Sequence, residues 1–161
     1  MDAVLGYGFR LVMYAFGGLA LEILFSVGAI DFVLGYRVPR RVPTKYLEGF
    51  VSLYMVPLHG LGMLFLLEPV TIAVASWPVP LRFLVYAVGI TTTEVAWGWT
   101  LDKVLGFYTW DYYARSMYRV FRRGYTLWTL VPMWGLAGLL FEKVSGLMLF
   151  LTPHVVAYLR D

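Results

Sequence analysis

Glu22, His59 and Glu94 stand out in this sequence because each falls near the middle of a run that is otherwise apolar. A charge held at mid-bilayer costs roughly 2.5 to 3.5 kcal/mol on insertion scales, so three ionisable groups at one depth call for pairing or for a use. Such groups could form a proton relay or a pair that orients a ligand. They could also act as a general acid and base in an apolar cavity, where desolvation brings a carboxylate's pKa toward the working pH. The plainer reading is that each finds a hydrogen bond: Glu22 or Glu94 to Thr91, Thr92, Thr93 or a tyrosine, and His59 to a carbonyl freed by Pro57. Thr93, next to Glu94, completes the candidate polar pocket of Glu22, His59, Thr93 and Glu94. Histidine and carboxylates also suit zinc or iron, but no HExxH or paired-histidine spacing is present and no metal is assigned.

A second candidate is Trp110-Asp111-Tyr112, a membrane-surface motif that follows Gly106. Asp111 can cap a surface helix, bond to Arg115 at i+4, or stand at the mouth of a site. His154, after Pro153, is a lone histidine and reads as structural. No Walker A, GxSxG or glycine-rich phosphate motif occurs, which argues against an ATPase or a serine hydrolase.

The elements that must position these groups are membrane spans. Of the 161 residues, 60% are hydrophobic and only 14% charged, too few polar residues to cover a soluble core of this size. The expectation is a single all-α membrane domain over residues 1–161, a bundle of about four transmembrane helices with interfacial segments. Its spans are expected at about 9–33, 48–67, 81–105 and 125–141. Pro57, Gly60 and Gly62 predict a kinked second span that lets a neighbour approach closely. Residues 70–77 are too short to cross and read as interfacial or re-entrant. The aromatic and basic stretch from Gly106 to Arg123 suits the headgroup layer along the surface. The tail at 144–159, broken by Pro153, reads as re-entrant, interfacial or a short fifth span.

Charge sets the expected orientation. Arg37, Arg40, Arg41 and Lys45 lie in one connection and Lys103, Arg115, Arg119, Arg122 and Arg123 in another, against Arg10, Arg82 and Arg160 opposite. The loops around 36–47 and 106–124 are therefore expected in the cytoplasm, in a cell-membrane protein with both termini outside. The net charge of +3 is spread over these short loops, which argues against nucleic acid. The chain has no cysteine, so disulfides and thiolate chemistry are excluded. It has no asparagine or glutamine either, a weak sign of a heat-loving source. No repeat at a fixed period is evident, and the halves do not align as an inverted pair.

The order of features resembles the CmpB-type ABC-transporter permease family of bacteria, which has small multi-pass vertebrate relatives. The resemblance is carried by Tyr14-Ala15-Phe16-Gly17-Gly18 through Glu22, Glu48-Gly49-Phe50 leading to Pro57-Leu58-His59-Gly60, Glu94 through Leu105-Gly106, Trp110-Asp111-Tyr112, and Pro132-Met133-Trp134-Gly135. Family members usually have serine after Trp-Asp-Tyr, where this chain has Tyr113. The resemblance implies a fold and a membrane address, and it draws attention to Glu22, Glu94, Trp110 and Asp111. Three functions stay open: a transport-accessory or ligand-binding protein with a polar midplane cluster, a membrane enzyme acting on a lipid or isoprenoid, or a structural subunit. The partners expected are the lipid bilayer and a homo-oligomer or larger membrane protein; no cofactor is identified.

Overall fold

The computed structural model describes residues 1–39 and 41–161, so Arg40, one of the loop cations above, lies outside the described residues. Among the described residues four helices are long and apolar enough to cross a membrane: α1 (Asp2–Gly28), α3 (Leu53–Ala73), α4 (Val79–Leu105) and α5 (Leu130–Tyr158). A short α2 (Ile30–Leu34) continues α1 beyond Ala29. No strand occurs among the described residues, and the chain is an all-α membrane bundle. At 1.5 Å per residue the long helices measure about 30 to 45 Å, enough to cross the hydrocarbon, the longer ones with tilt. Large apolar side chains such as Phe16, Leu24, Val88, Leu136 and Phe150 point outward, as lipid contact requires.

The helices differ from the expected segments in informative ways. Glu142 and Lys143 do not end the last span; α5 runs through them and on past Pro153 as one helix of 29 residues. The tail is thus the second half of a span. Its charge is tolerated because Glu142 is paired within the bundle, to Arg82 at 2.5 Å. Residues 70–73 likewise continue α3, where Glu68 is buried against Arg10, and the short connection to α4 follows. Pro57 causes no break: a 3-10 turn at Leu53–Met55 leads through it into a π-helical run, Leu58–Leu67, which reverts to α-helix over Glu68–Ala73.

Two pairings dominate the packing, α1 against α3 and α4 against α5, and α1 joins them through α5. Glycine makes the closest approaches possible. A Cβ on Gly138 would overlap the Tyr86 ring, and one on Gly18 would overlap the His59 imidazole.

The stretch between α4 and α5 departs most from expectation. It folds into the end of the bundle instead of lying along the surface. Tyr108, Trp110, Tyr113, Ser116, Thr126 and Leu127 are buried and share a core with Ile30, Val33, Leu34, Met55 and Leu101. Several polar atoms of this stretch are satisfied by backbone carbonyls far along the chain. Ser116 Oγ donates to the Leu34 carbonyl and Thr129 Oγ1 to that of Val33, both at 2.8 Å. Trp110 Nε1 donates to the Tyr125 carbonyl at 2.9 Å, and Tyr108 Oη to that of Arg123. An aromatic ring with a polar handle can be buried once that handle is bonded, so composition suited to headgroups also builds a plug.

Candidate functional site

On α1, Glu22 lies one helical turn beyond Gly18, and the missing Cβ of Gly18 gives the imidazole of His59 its place. His59 Nε2 stands 3.4 Å from Glu22 Oε1, an ion-pair distance across α1 and α3. That nitrogen is otherwise buried without a hydrogen-bond partner among the described residues. An imidazole paired with a carboxylate in this way can hold, accept or pass on a proton.

Glu94 is placed differently. It points from α4 into the bundle and is 7% exposed. Its Oε2 accepts from Thr126 Oγ1 at 2.5 Å and from Trp134 Nε1 at 3.1 Å. Glu22, Glu68 and Glu142, the other glutamates within spans, each have a basic side chain in reach, whereas no ion pair forms at Glu94 among the described residues. Thr91 and Trp97, one turn to either side on the same face, bury Oγ1 and Nε1 without a hydrogen-bond partner among the described residues.

Thr93, expected in this pocket, instead turns its hydroxyl back to the Gly89 carbonyl at 2.9 Å, leaving the donor's place to Thr126. The structure brings His59 to Glu22 and does not bond either of them to Glu94. The plug is bonded to Glu94 through Thr126 and lies within electrostatic reach of Glu22. The Tyr112 and Tyr113 hydroxyls are held well above the ordinary tyrosine value by burial first, and then by the charges of Glu22 and Glu94.

Of the surface motif, only Asp111 faces outward; it opens a 3-10 turn, Asp111–Arg115. Trp110 is buried against Gly98, so the motif is an anchor within the core rather than a surface patch. No Asp111–Arg115 ion pair forms; the Tyr112 carbonyl instead accepts from Tyr36 Oη at 2.7 Å, tying the plug to the first connection.

Two further clusters went unnoticed in the sequence. Arg10 Nε lies 3.1 Å from Glu68 Oε2, which also accepts from Tyr14 Oη at 2.5 Å, while Arg10 Nη1 donates to Thr152 Oγ1 at 3.2 Å. Arg82 Nη1 lies 2.5 Å from Glu142 Oε2, and Tyr86 Oη donates to Glu142 Oε1 at 2.8 Å. The signal was present as an arginine with a tyrosine four residues later, Arg10 and Tyr14, then Arg82 and Tyr86, a spacing that puts both on one helix face. A family model described as "Putative ABC-transporter type IV" (ABC_trans_CmpB) matches residues 9–158.

The chain belongs to that family. The match takes in both clamps, the Glu22–His59 pair, Glu94 and the whole plug, so membership of the type IV ABC-transporter family covers the candidate site in full. The family is named for membrane transport, and the four apolar helices place this member in a bilayer. No curated protein and no solved structure matches the chain.

Proposed function

We propose that this chain is a transport-accessory or ligand-binding membrane protein that holds a polar ligand at the mid-depth cluster of Glu22, His59 and Glu94, beneath the plug. The observation that carries the reading is Glu94: a buried carboxylate in a spanning helix, accepting from two neutral donors and free of any ion pair among the described residues. An ionisable group inside a membrane is a functional-site hypothesis by default, and this one has the Glu22–His59 pair in electrostatic reach. Arg10 and Arg82, the arginines of the spanning helices, are each already paired with another glutamate, Glu68 and Glu142.

In the same reading the protein works beside a larger membrane protein or as a homo-oligomer, since four helices barely enclose a path. The plug and the first connection, which carry most of the cations, face the cytoplasm. Native mass spectrometry of protein extracted gently from its own membrane is the test. A stoichiometric small molecule should be present, and should be lost from Glu22→Ala and Glu94→Ala while both variants still insert. A defined protein partner with no small molecule would replace ligand binding with the structural-subunit reading.

A further inference from the structure

The groups that pair across the bundle recur along the chain. Arg10, Tyr14, Ala15, Gly17 and Glu22 return 72 positions later as Arg82, Tyr86, Ala87, Gly89 and Glu94. Asp31, Val33, Leu34 and Gly35 return 71 positions later as Asp102, Val104, Leu105 and Gly106. Val56, Pro57, Gly60, Leu61 and Leu64 return 75 positions later as Val131, Pro132, Gly135, Leu136 and Leu139, and Glu68 returns after 74 as Glu142. The offset changes, which is why no fixed period is evident.

Two of the changes fall on a local irregularity of the first half. One extra residue before Asp31 coincides with the break at Ala29 between α1 and α2, whereas α4 runs unbroken to Leu105. One extra residue between Leu64 and Glu68 coincides with the π-helical run, whose i→i+5 turn holds more residues than an α-turn; α5 is regular at the matching place.

The contacts recur as well. In both halves an arginine and a tyrosine on the first helix hold a glutamate on the second, Glu68 or Glu142. Gly60 lies against Leu11, and its counterpart Gly135 against Phe83, 72 positions after Leu11. Gly35 and Gly106 both end their helices in the left-handed region, at φ 73° and 78°. Glu22 meets His59, and Glu94 meets Trp134, the residue in His59's place.

We infer that the chain is a tandem duplication of one helix hairpin, α1–α3 and α4–α5, in which Glu22 and Glu94 are the same position in two copies and share one site between the hairpins. Each copy crosses the membrane twice, so both have the same orientation, and the repeat axis runs along the membrane normal. An inverted pair is thereby excluded, and no second chain is needed to supply the other half. Parallel repeats of this kind place their sites near mid-bilayer where the repeats meet, and can expose them to either side by rocking one repeat against the other.

The copies have diverged where they hold the carboxylate. In the first, Gly18 leaves room for a titratable imidazole; in the second, Ile90 stands in Gly18's place and the partner is the neutral N–H of Trp134. Resting on the ligand reading above, one polar ligand is held between the hairpins by a carboxylate from each, with a protonatable side and a neutral side.

The test makes the second copy resemble the first within the full chain, as I90G/W134H. Histidine ring resonances are followed by NMR against pH; the natural chain has only two histidines, so they can be assigned. The ring resonances of the added imidazole should move when Glu94→Gln is introduced, as those of His59, 3.4 Å from Glu22, should with Glu22→Gln. A folded variant whose added imidazole ignores Glu94→Gln, while His59 responds to Glu22→Gln, overturns the equivalence. If I90G/W134H does not fold, Tyr14→Phe and Tyr86→Phe decide: matched drops in thermal midpoint support two equivalent clamps, and a drop confined to one refutes them. Duplicate behaviour in these variants, with no small molecule lost on Glu22→Ala or Glu94→Ala, would sink the ligand reading and leave the duplication standing.

Discussion

At the residue scale, what separates the polar groups of this protein is where each hydroxyl or carboxylate finds its partner. Tyr108 gives a direct consequence in solution. Burial, then the nearby Asp111, Tyr125 and Asp102, push its hydroxyl up to about 12 from the ordinary 10.0. Deprotonation is thus harder in the folded protein than in the unfolded chain. The contribution of Tyr108 to stability is complete below pH 10, declines as pH rises and is gone by about 12. Tyr125 acts in the same direction, raised chiefly by its hydrogen bond to Asp102. Thermal melts in detergent should therefore weaken across this alkaline window, in step with tyrosinate absorbance, and Tyr108→Phe should flatten part of the slope. Tyrosinate appearing at the ordinary value in a still-folded protein would contradict this. Depth alone made Glu22, His59 and Glu94 legible in the sequence. The choice of Thr126 over Thr93 was not legible, because a threonine in a helix can bond the carbonyl four residues back, and only the folded plug shows which one does.

At the element scale, the spans were readable because apolar length has few other uses, whereas the plug was not. Its Trp, Tyr and Arg content fits a headgroup layer equally well, and its burial depends on long-range bonds from Ser116 and Thr129 to the end of α2. The spacing of residues carries no trace of such bonds. The end of α5 was hidden for a related reason, since Glu142 looks like a terminus until Arg82 is opposite it. The plug turns at Gly124, with φ 75°, and a Cβ there would lie 2.6 Å from the Ala114 backbone nitrogen. Gly124→Ala should therefore lose at least about 1 to 2 kcal/mol from the left-handed conformation alone, with the backbone clash in addition. Limited proteolysis should detect it as new cleavage between Ala114 and Gly124 without loss of helical circular dichroism. Protection equal to that of the natural protein would mean the plug is not held by this turn.

At the scale of the whole molecule, the absence of cysteine offers a clean background for mapping orientation. Met117, in the plug region, and Tyr158, at the end of α5, are 78% and 81% exposed. With the plug in the cytoplasm, a membrane-impermeant maleimide should label Tyr158→Cys in intact cells and Met117→Cys only after lysis. The reverse pattern would invert the topology. The clamps also bear on how the molecule is made. Arg10 and Glu22 leave the ribosome in the first helix, but Glu68 and His59 arrive with the third, and Thr152 only near the end of α5. During synthesis, then, the first helix carries an arginine and a carboxylate that the bilayer disfavours and that nothing in the nascent chain yet neutralises. Its secure residence in lipid must await the second crossing, which makes the hairpin, rather than the single helix, the natural quantum of insertion for the translocon.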